Sequence, residues 1–383
     1  MKKTKGTPMK NDTTEGAVLY MALELSQKKW KLGFSDGKKM RFRDISARVL
    51  EQLQEEIEMA KEKFQLPDCV KIACCYEAGR DGFWLHRYLL SCGIDNVVVD
   101  SSSIEVNRRK RRLKTDRVDS RKLLQMLMRY HGGEEKLWSV VNVPSAEAED
   151  VRHLNRELDT LNRERTMHLS RIRALLIQQG LEVKSPSKKE FLKELESLRT
   201  WDGKPVPANL KERILREYHR LEMVEDQVAI LRKEREKKVQ SEATASLKKI
   251  GQLRTLYGIG ETSSWEFVTE MFGWRKFQNR REVGAFPGLT PTPYDSGESR
   301  REQGISKTGR GRIRSISIQI AWGWLRHQPN SKLARWYWER FGHGSKRMRK
   351  IGIVAVARKL LIDLWRYLEY GVIPEGARLK SLA

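Results

Sequence analysis

The order of short apolar runs between Ala17 and Val99 limits what this chain can become more than any other feature. Ala17 to Ser26 (AVLYMALELS) reads as a buried strand. Lys31 to Ser35 (KLGFS) and Met40 to Arg43 read as two further strands around the turn Asp36-Gly37, giving a three-strand meander. The stretch from Ala47 to Phe64, apolar at Val49, Leu50, Leu53, Ile57 and Phe64, predicts an amphipathic helix. Val70 to Tyr76 (VKIACCY) is a strand ending at Glu77, Gly82 to Ser91 a helix, and Asn96 to Val99 another strand.

Three strands, helix, strand, helix, strand is the order of the ribonuclease-H-like fold, in which the first and fourth strands lie side by side. Adjacent strands are less than about 5 Å apart, so Glu24 on the first and Glu77 at the end of the fourth can face one metal centre. Asn107 to Lys122 (NRRKRRLKTDRVDSRK) adds Asp116 and Asp119, three residues apart. If Arg117 to Arg129 is helical, as Val118, Leu123, Leu124 and Leu127 indicate, both carboxylates project from its first turn on one face. Four acids from three elements supply hard oxygen ligands, which suit Mg²⁺ or Mn²⁺ rather than zinc. Each acid also has an ordinary reading. Asp116 and Asp119 suit a helix N-terminus, Glu77 can cap the helix that follows, and Glu24 can pair with a basic group.

A formal charge of +25 over 383 residues favours a polyanionic partner. Nucleic acid comes first and an anionic membrane surface second, but no apolar run reaches the roughly eighteen residues of a membrane span. The basic N-terminal residues 1–15 lack the apolar core of a signal peptide and read as a disordered tail, so a soluble cytoplasmic protein is expected. Arg108, Arg109, Arg111, Arg112 and Lys114 sit just ahead of the aspartate pair and suit phosphate contacts. Cys69, Cys74, Cys75 and Cys92 lack CxxC spacing or a histidine set, so buried small apolar residues are expected rather than zinc ligands or a disulfide framework.

Val151 to Gln179 is highly charged, with apolar residues at Leu154, Leu158, Leu161, Leu169, Ile172, Leu175 and Leu176. From Leu210 the pattern resumes at Ile214, Tyr218, Leu221, Val224, Val228 and Leu231, in the steps of a heptad seam. Two long helices result, interrupted by a loop-rich insertion with a short helix near Lys189 to Leu198. The pair reads as a self-association arm or, equally, as a hairpin packing only on itself. Leu256 to Gly260 (LYGIG) then has the helix-hairpin-helix pattern, in which Gly258 and Gly260 let backbone amides approach a phosphate. A helix C-cap glycine explains the same residues.

Pro287 to Arg314 (PGLTPTPYDSGESRREQGISKTGRGRIR) is too rich in glycine, proline and serine for a regular helix and reads as a functional loop. Arg300, Arg301, Lys307, Arg310, Arg312 and Arg314 can clamp phosphates, and Ser296, beside a glycine, is a candidate nucleophile. Taken alone, most loop serines only solvate or cap. Ser315 to Ile320 and Ile351 to Leu368 read as helices. The tryptophans of this region, Trp322, Trp324, Trp336, Trp338 and Trp365, can stack on bases beside basic runs such as Lys346 to Lys350, although core is the simpler reading for most.

Taken together, YMALELSQKKW, CCYEAG, LKTDRVDSRKL, LYGIG and AFPGLTPTPYDSGESRREQGISKTG resemble the DEDD transposases of the IS110 and IS1111 insertion sequences, relatives of the Piv DNA invertase, over nearly the whole chain. The resemblance implies a RuvC-like catalytic domain over 16–145, a coiled-coil helical arm over 146–245 and a mostly helical transposase domain over 246–383. It places a Mg²⁺-binding acid set on Glu24, Glu77, Asp116 and Asp119, and a catalytic serine on Ser296. Glu24 stands where family members usually carry aspartate. The implied activity is RNA-guided site-specific recombination through a phosphoserine. The implied partners are a guide noncoding RNA (bridge RNA or seekRNA), donor and target double-stranded DNA, and further copies of the chain as dimers joining into a tetramer. The implied location is the bacterial cytoplasm, at the nucleoid. Two rivals stay open: a metal-dependent, RuvC-like structure-specific endonuclease that uses water, and an inactive nucleic-acid-binding scaffold.

Overall fold

The computed structural model describes residues 16–104, 116–183, 185–187, 190–241, 243–296 and 299–380, with the backbone alone at 102, 116–119, 294–296 and 299–303. The chain divides into two compact units, Met1–Val143 and Pro144–Ala383.

In the first unit β1 (Val18–Glu24), β2 (Lys29–Ser35) and β3 (Met40–Ser46) form the expected meander. The Asp36 carboxylate closes the turn between β2 and β3 by accepting from the Lys38 and Lys39 amides at 2.9 and 2.6 Å. Helix α1 (Leu50–Phe64) follows, then β4 (Lys71–Glu77), α2 (Trp84–Ser91), β5 (Asp95–Val99) and α3 (Asp116–His131). The sheet order is β3-β2-β1-β4-β5. The meander is antiparallel, whereas β4 runs parallel to both β1 and β5. Successive strand residues alternate between faces, so the sheet has two. Leu19, Met21, Leu23, Cys74 and Tyr76 pack with Leu53 and Ile57 of α1 and Leu85 and Leu89 of α2. Ala22, Cys75 and Val99 pack on the other face with Leu123, Leu124 and Leu127 of α3. A five-stranded mixed sheet between helical layers is compatible with a ribonuclease-H-like domain. Cys74 and Cys75 fill the core as expected; Cys69 and Cys92 are exposed, and all four are free thiols.

The second unit starts with α4 (Ala146–Ile177), capped by the Ser145 hydroxyl, which accepts from the Ala148 amide at 3.1 Å. It turns through α5 (Phe191–Ser197) and returns along α6 (Ala208–Ser241). The two long helices are antiparallel partners within one chain. Leu158 packs with Val224, Val228 and Leu231, and nearer the tip the buried His168 Nδ1 meets Glu217 Oε2 at 2.6 Å. Phe191 and Leu195 of α5 close the tip against Ile172, Leu176, Ile214 and Tyr218.

The remaining helices are α7 (Ala245–Arg254), α8 (Glu261–Phe267), α9 (Arg280–Ala285), α10 (Gly311–His327), α11 (Lys332–Tyr337) and α12 (Lys346–Tyr370). π-helical turns at Val268–Phe272 and Trp338–Gly342 extend α8 and α11. Trp265, Trp324, Leu360 and Leu364 lie at the heart of their core, which also takes in Val151 and Val239 from the base of the arm.

Pro287 to Arg314 is not an irregular loop but contains β6 (Pro291–Ser296) and β7 (Ser299–Ile305), an antiparallel hairpin, followed directly by α10. Proline is tolerated because the ribbon has only two strands, so each strand keeps one edge that needs no donor. The register slips between Pro291 and Pro293. No described helix is long and apolar enough to cross a membrane.

Candidate active site

Glu24 ends β1 and Glu77 ends β4, and the parallel register pairs the residues just before them, Leu23 with Tyr76. The two acids therefore stand side by side at one edge of the sheet, about one strand spacing apart, ~4.8 Å. By strand alternation both belong to the face of Ala22 and Cys75, the face that α3 covers. Glu24 is half-buried and Glu77 exposed.

Helix α3 is anchored to that edge by Ser120, whose buried hydroxyl donates to Glu24 Oε2 at 2.9 Å. Asp116 opens the same helix and Asp119 directly precedes Ser120, so both backbone positions lie in its first turn, next to this hydrogen bond. Three elements thus bring the backbone positions of the four acids to one edge of the sheet, and their donor set is oxygen only, the kind that suits a hard divalent cation. Sequence reasoning missed Ser120. Its signal was there: Ser120 occupies the first position of the buried stripe Ser120, Leu123, Leu124, Leu127, where a polar side chain needs a reason. Arg108, Arg109, Arg111, Arg112 and Lys114 lie outside the described residues.

In the second unit Ser296 is the last residue of β6 and pairs with Ser299 across the hairpin tip. The base of the hairpin is a backbone interlock. Gly288 has φ +71, and a Cβ there would meet the Thr308 carbonyl oxygen at 2.1 Å; Gly309 has φ +80, and its Cβ would meet the Phe286 carbonyl oxygen at 2.1 Å. Only glycine fits either place. Arg314 ties the two turns together, donating from Nη1 to the Pro287 and Lys307 carbonyls at 2.9 and 3.0 Å. The spacing between the GLTP and SKTG pieces is therefore that of a hairpin whose two ends are held together, with Ser296 at the far end of β6. Lys307 is exposed in this clamp, with φ 55.

Arg310 and Arg312 have carboxylate partners that the sequence did not disclose. Arg310 Nη1 lies 2.9 Å from Glu270 Oε2, and Arg312 Nε 2.8 Å from Glu266 Oε1, with Arg312 also on Asp159. Glu266 and Glu270 are buried on α8 and its π turn, and from α4 Arg152, Arg156 and Asn155 bond to the same pair at 3.2, 3.0 and 2.9 Å. Burial alone would raise the Glu270 carboxyl, but the Arg156 hydrogen bond and the Arg152 and Arg310 charges outweigh it and hold the group below its ordinary value. The network joins the root of the arm to the start of α10, right after the hairpin clamp. Arg300 and Arg301 are strand residues of β7 opposite Asp295 and Tyr294.

The LYGIG turn links α7 to α8. Gly258 takes φ +85 against α10, Leu256 and Ile259 are buried, and the Gly260 amide is capped by Ser263 Oγ at 3.1 Å. The C-terminal segment lies along it. Leu256 bridges to Leu379, the Tyr257 amide donates to the Arg378 carbonyl at 3.2 Å, and Lys380 Nζ donates to the carbonyls of Arg254 and Ile259.

Known proteins resemble both units of the chain. Residues 35–179 match the IS110 DEDD family, described as "Transposase", and residues 251–335 match the "Transposase IS116/IS110/IS902 family". The first match takes in Glu77, Asp116 and Asp119 and begins after Glu24; the second takes in Ser296 and the hairpin clamp. A putative transposase, y4rJ, of Sinorhizobium fredii is 38% identical over 95% of this chain and 95% of its own length. The transposase for insertion sequence element IS1111A of Coxiella burnetii is 24% identical over 78% of this chain and 77% of its own, and that for IS1533 of Leptospira borgpetersenii is 24% identical over 66% and 70%.

Proposed function

Because the chain belongs to the IS110 family of DEDD transposases, we propose that it cuts and rejoins DNA at an insertion sequence through a covalent phosphoserine at Ser296. In this reading Glu24, Glu77, Asp116 and Asp119 of a ribonuclease-H-like domain hold a divalent cation, Mg²⁺ or Mn²⁺. The cation supplies charge stabilisation at phosphorus and at the departing 3′ oxygen. Ser296 Oγ bonds to phosphorus as the bond to the 3′ oxygen breaks, and the serine proton passes to that oxygen or to solvent. One phosphodiester replaces another, so rejoining needs no outside energy source. The welded hairpin base fixes where the Ser296 tip points, while Arg300, Arg301 and Lys307 hold neighbouring phosphates. Arg108, Arg109, Arg111, Arg112 and Lys114 serve the duplex beside the acid set, and the turn at Gly258 and Gly260 approaches a nucleic-acid backbone through the Gly258 amide, the Gly260 amide being taken by Ser263.

The partners in this reading are donor and target duplexes and a guide noncoding RNA that reads sequence by pairing while the protein reads backbone. The charge of +25 supports more than one nucleic-acid partner. The α4–α6 arm joins protomers into dimers and tetramers, so that acids and serine of different copies can meet.

The observation that carries the reading is the edge where Glu24 and Glu77 stand together under the first turn of α3, held there by Ser120. Its test is strand cleavage with Mg²⁺, element-junction duplexes and RNA from the element's flanks. Wild type is expected to cut and to leave a protein–DNA adduct that survives denaturation, and Ser296→Ala to do neither. A water-using nuclease would still cut after Ser296→Ala. A scaffold would bind and never cut.

A further inference from the structure

The surface made by α10, the end of α11 and the start of α12 combines two features that the fold itself does not use. Trp322 and Trp338 are 46% and 47% exposed, whereas Trp265, Trp324 and Trp365 of the same unit are buried. Both pack edge-on against the buried ring of Tyr337, at 6.2 and 5.3 Å between centroids, so one side chain links the two exposed indoles. Lys346, Arg347, Arg349 and Lys350 are all exposed on the first turns of α12, and Arg349 is close enough to Tyr337 for its charge to act on that hydroxyl. None of the four cations makes an ion pair among the described residues, unlike Arg152, Arg156, Arg310 and Arg312. From Trp336 to Ile362 the sequence offers a single acid, Glu339. Four like charges at the positive end of a 25-residue helix lower its stability, so they serve something other than the fold.

We propose that this face binds an unpaired nucleic-acid strand, with bases stacked on Trp322 and Trp338 and phosphates running past Lys346, Arg347, Arg349 and Lys350. Exposed flat rings flanked by unpaired cations are the two requirements of a sequence-tolerant single-strand platform. A paired duplex hides its base faces and can use only the cations. A second copy of the same face is disfavoured, because a two-fold contact would press the cationic run against itself. The inference rests on the proposed function only in taking nucleic acid as the partner, and it names where an unpaired segment sits.

The test is fluorescence anisotropy of the full-length chain with short labelled oligothymidylate, oligouridylate and a duplex. Trp322→Ala and Trp338→Ala are each expected to weaken binding of the unpaired strands roughly tenfold or more, with a smaller effect on the duplex. Trp338→Phe, which keeps a stacking face, retains most of the binding and separates stacking from misfolding. Arg347→Gln with Arg349→Gln lowers the slope of log affinity on log salt by about 1.4, at ~0.7 per lost phosphate contact. The two oligonucleotides tell whether DNA or RNA is the better occupant. Unchanged single-strand affinity in both tryptophan variants overturns the inference, as does an equal loss on the duplex. Variants that lose only binding to phosphatidylserine vesicles, or only self-association, also overturn it, in favour of a membrane or a second copy. Wild type that forms the Ser296 adduct while the tryptophan variants bind normally contradicts this surface and leaves the proposed function standing. Tryptophan-dependent binding without any adduct does the reverse.

Discussion

Ser120 Oγ donates to Glu24 Oε2 across 2.9 Å, joining the first turn of α3 to the end of β1. This bond holds the helix that carries Asp116 and Asp119 against the strand that carries Glu24. Ser120→Ala is expected to cost about 1 kcal/mol of stability and to raise the Mg²⁺ concentration needed for half-maximal cleavage. A metal titration beside thermal unfolding checks it. A stability loss with an unmoved metal midpoint would make Ser120 a packing residue only.

Glu24 reaches this bond with one methylene more than aspartate has. Glu24→Asp is expected to lose the Ser120 contact yet keep metal-dependent cleavage at a reduced rate, whereas Glu24→Gln removes a ligand charge and abolishes it. Cleavage by Glu24→Gln at the wild-type rate would take Glu24 out of the site. Rates across Mg²⁺ and Mn²⁺ concentrations give the comparison.

The hairpin base offers a graded test. Gly288→Ala and Gly309→Ala each drive a methyl into a carbonyl oxygen at 2.1 Å from a left-handed backbone and are expected to abolish adduct formation. Gly304→Ala has φ +88 but nothing within 4 Å, so it pays only the backbone strain of about 1 kcal/mol. Equal effects of all three on unfolding and adduct yield would mean that the interlock does not position Ser296.

Glu270 makes stability acid-sensitive. Its folded-state value lies below the ordinary 4.5 because Arg156, Arg152 and Arg310 outweigh the effect of burial. The stabilisation is therefore complete above about that pH and is lost as pH falls through the depressed value. Asp159 is also held low, by Arg312 and Arg163 against burial, and its contribution is lost in the same direction but at lower pH, starting from its own ordinary value of 3.8. Glu270→Gln should lower stability at neutral pH by roughly 3 kcal/mol and flatten, without removing, the acid limb of the unfolding profile. An acid limb as steep as that of wild type would contradict this.

The sheet was legible because each strand between Ala17 and Val99 is a short apolar run bounded by turn residues, and because alternation then fixes the face of Glu24 and Glu77. The long helices were legible from their heptad spacing. Pairing of α4 with α6 in one chain was not, since one apolar seam serves an internal or an external partner equally well. Pro291 and Pro293 disguised β6 as loop; proline forbids a central strand but not a two-stranded ribbon. The partners of Arg310 and Arg312 were hidden because Glu266 and Glu270 come from α8 and its π turn, distant in sequence, and composition cannot distinguish a paired arginine from a free one. The C-terminal segment over the LYGIG turn left no periodic trace at all, being held by backbone contacts such as the Leu256–Leu379 bridge.

The central step of the proposed reaction is a covalent bond between one serine and DNA. Protein trapped with element-junction duplex, flanking RNA and Mg²⁺ can be digested and its nucleotide-bearing peptides mapped by mass spectrometry. The expected result is a nucleotide phosphodiester on Ser296, absent after Ser296→Ala and after Glu77→Gln. Efficient cleavage with no nucleotide on any peptide, or with the nucleotide on Ser299, would contradict it.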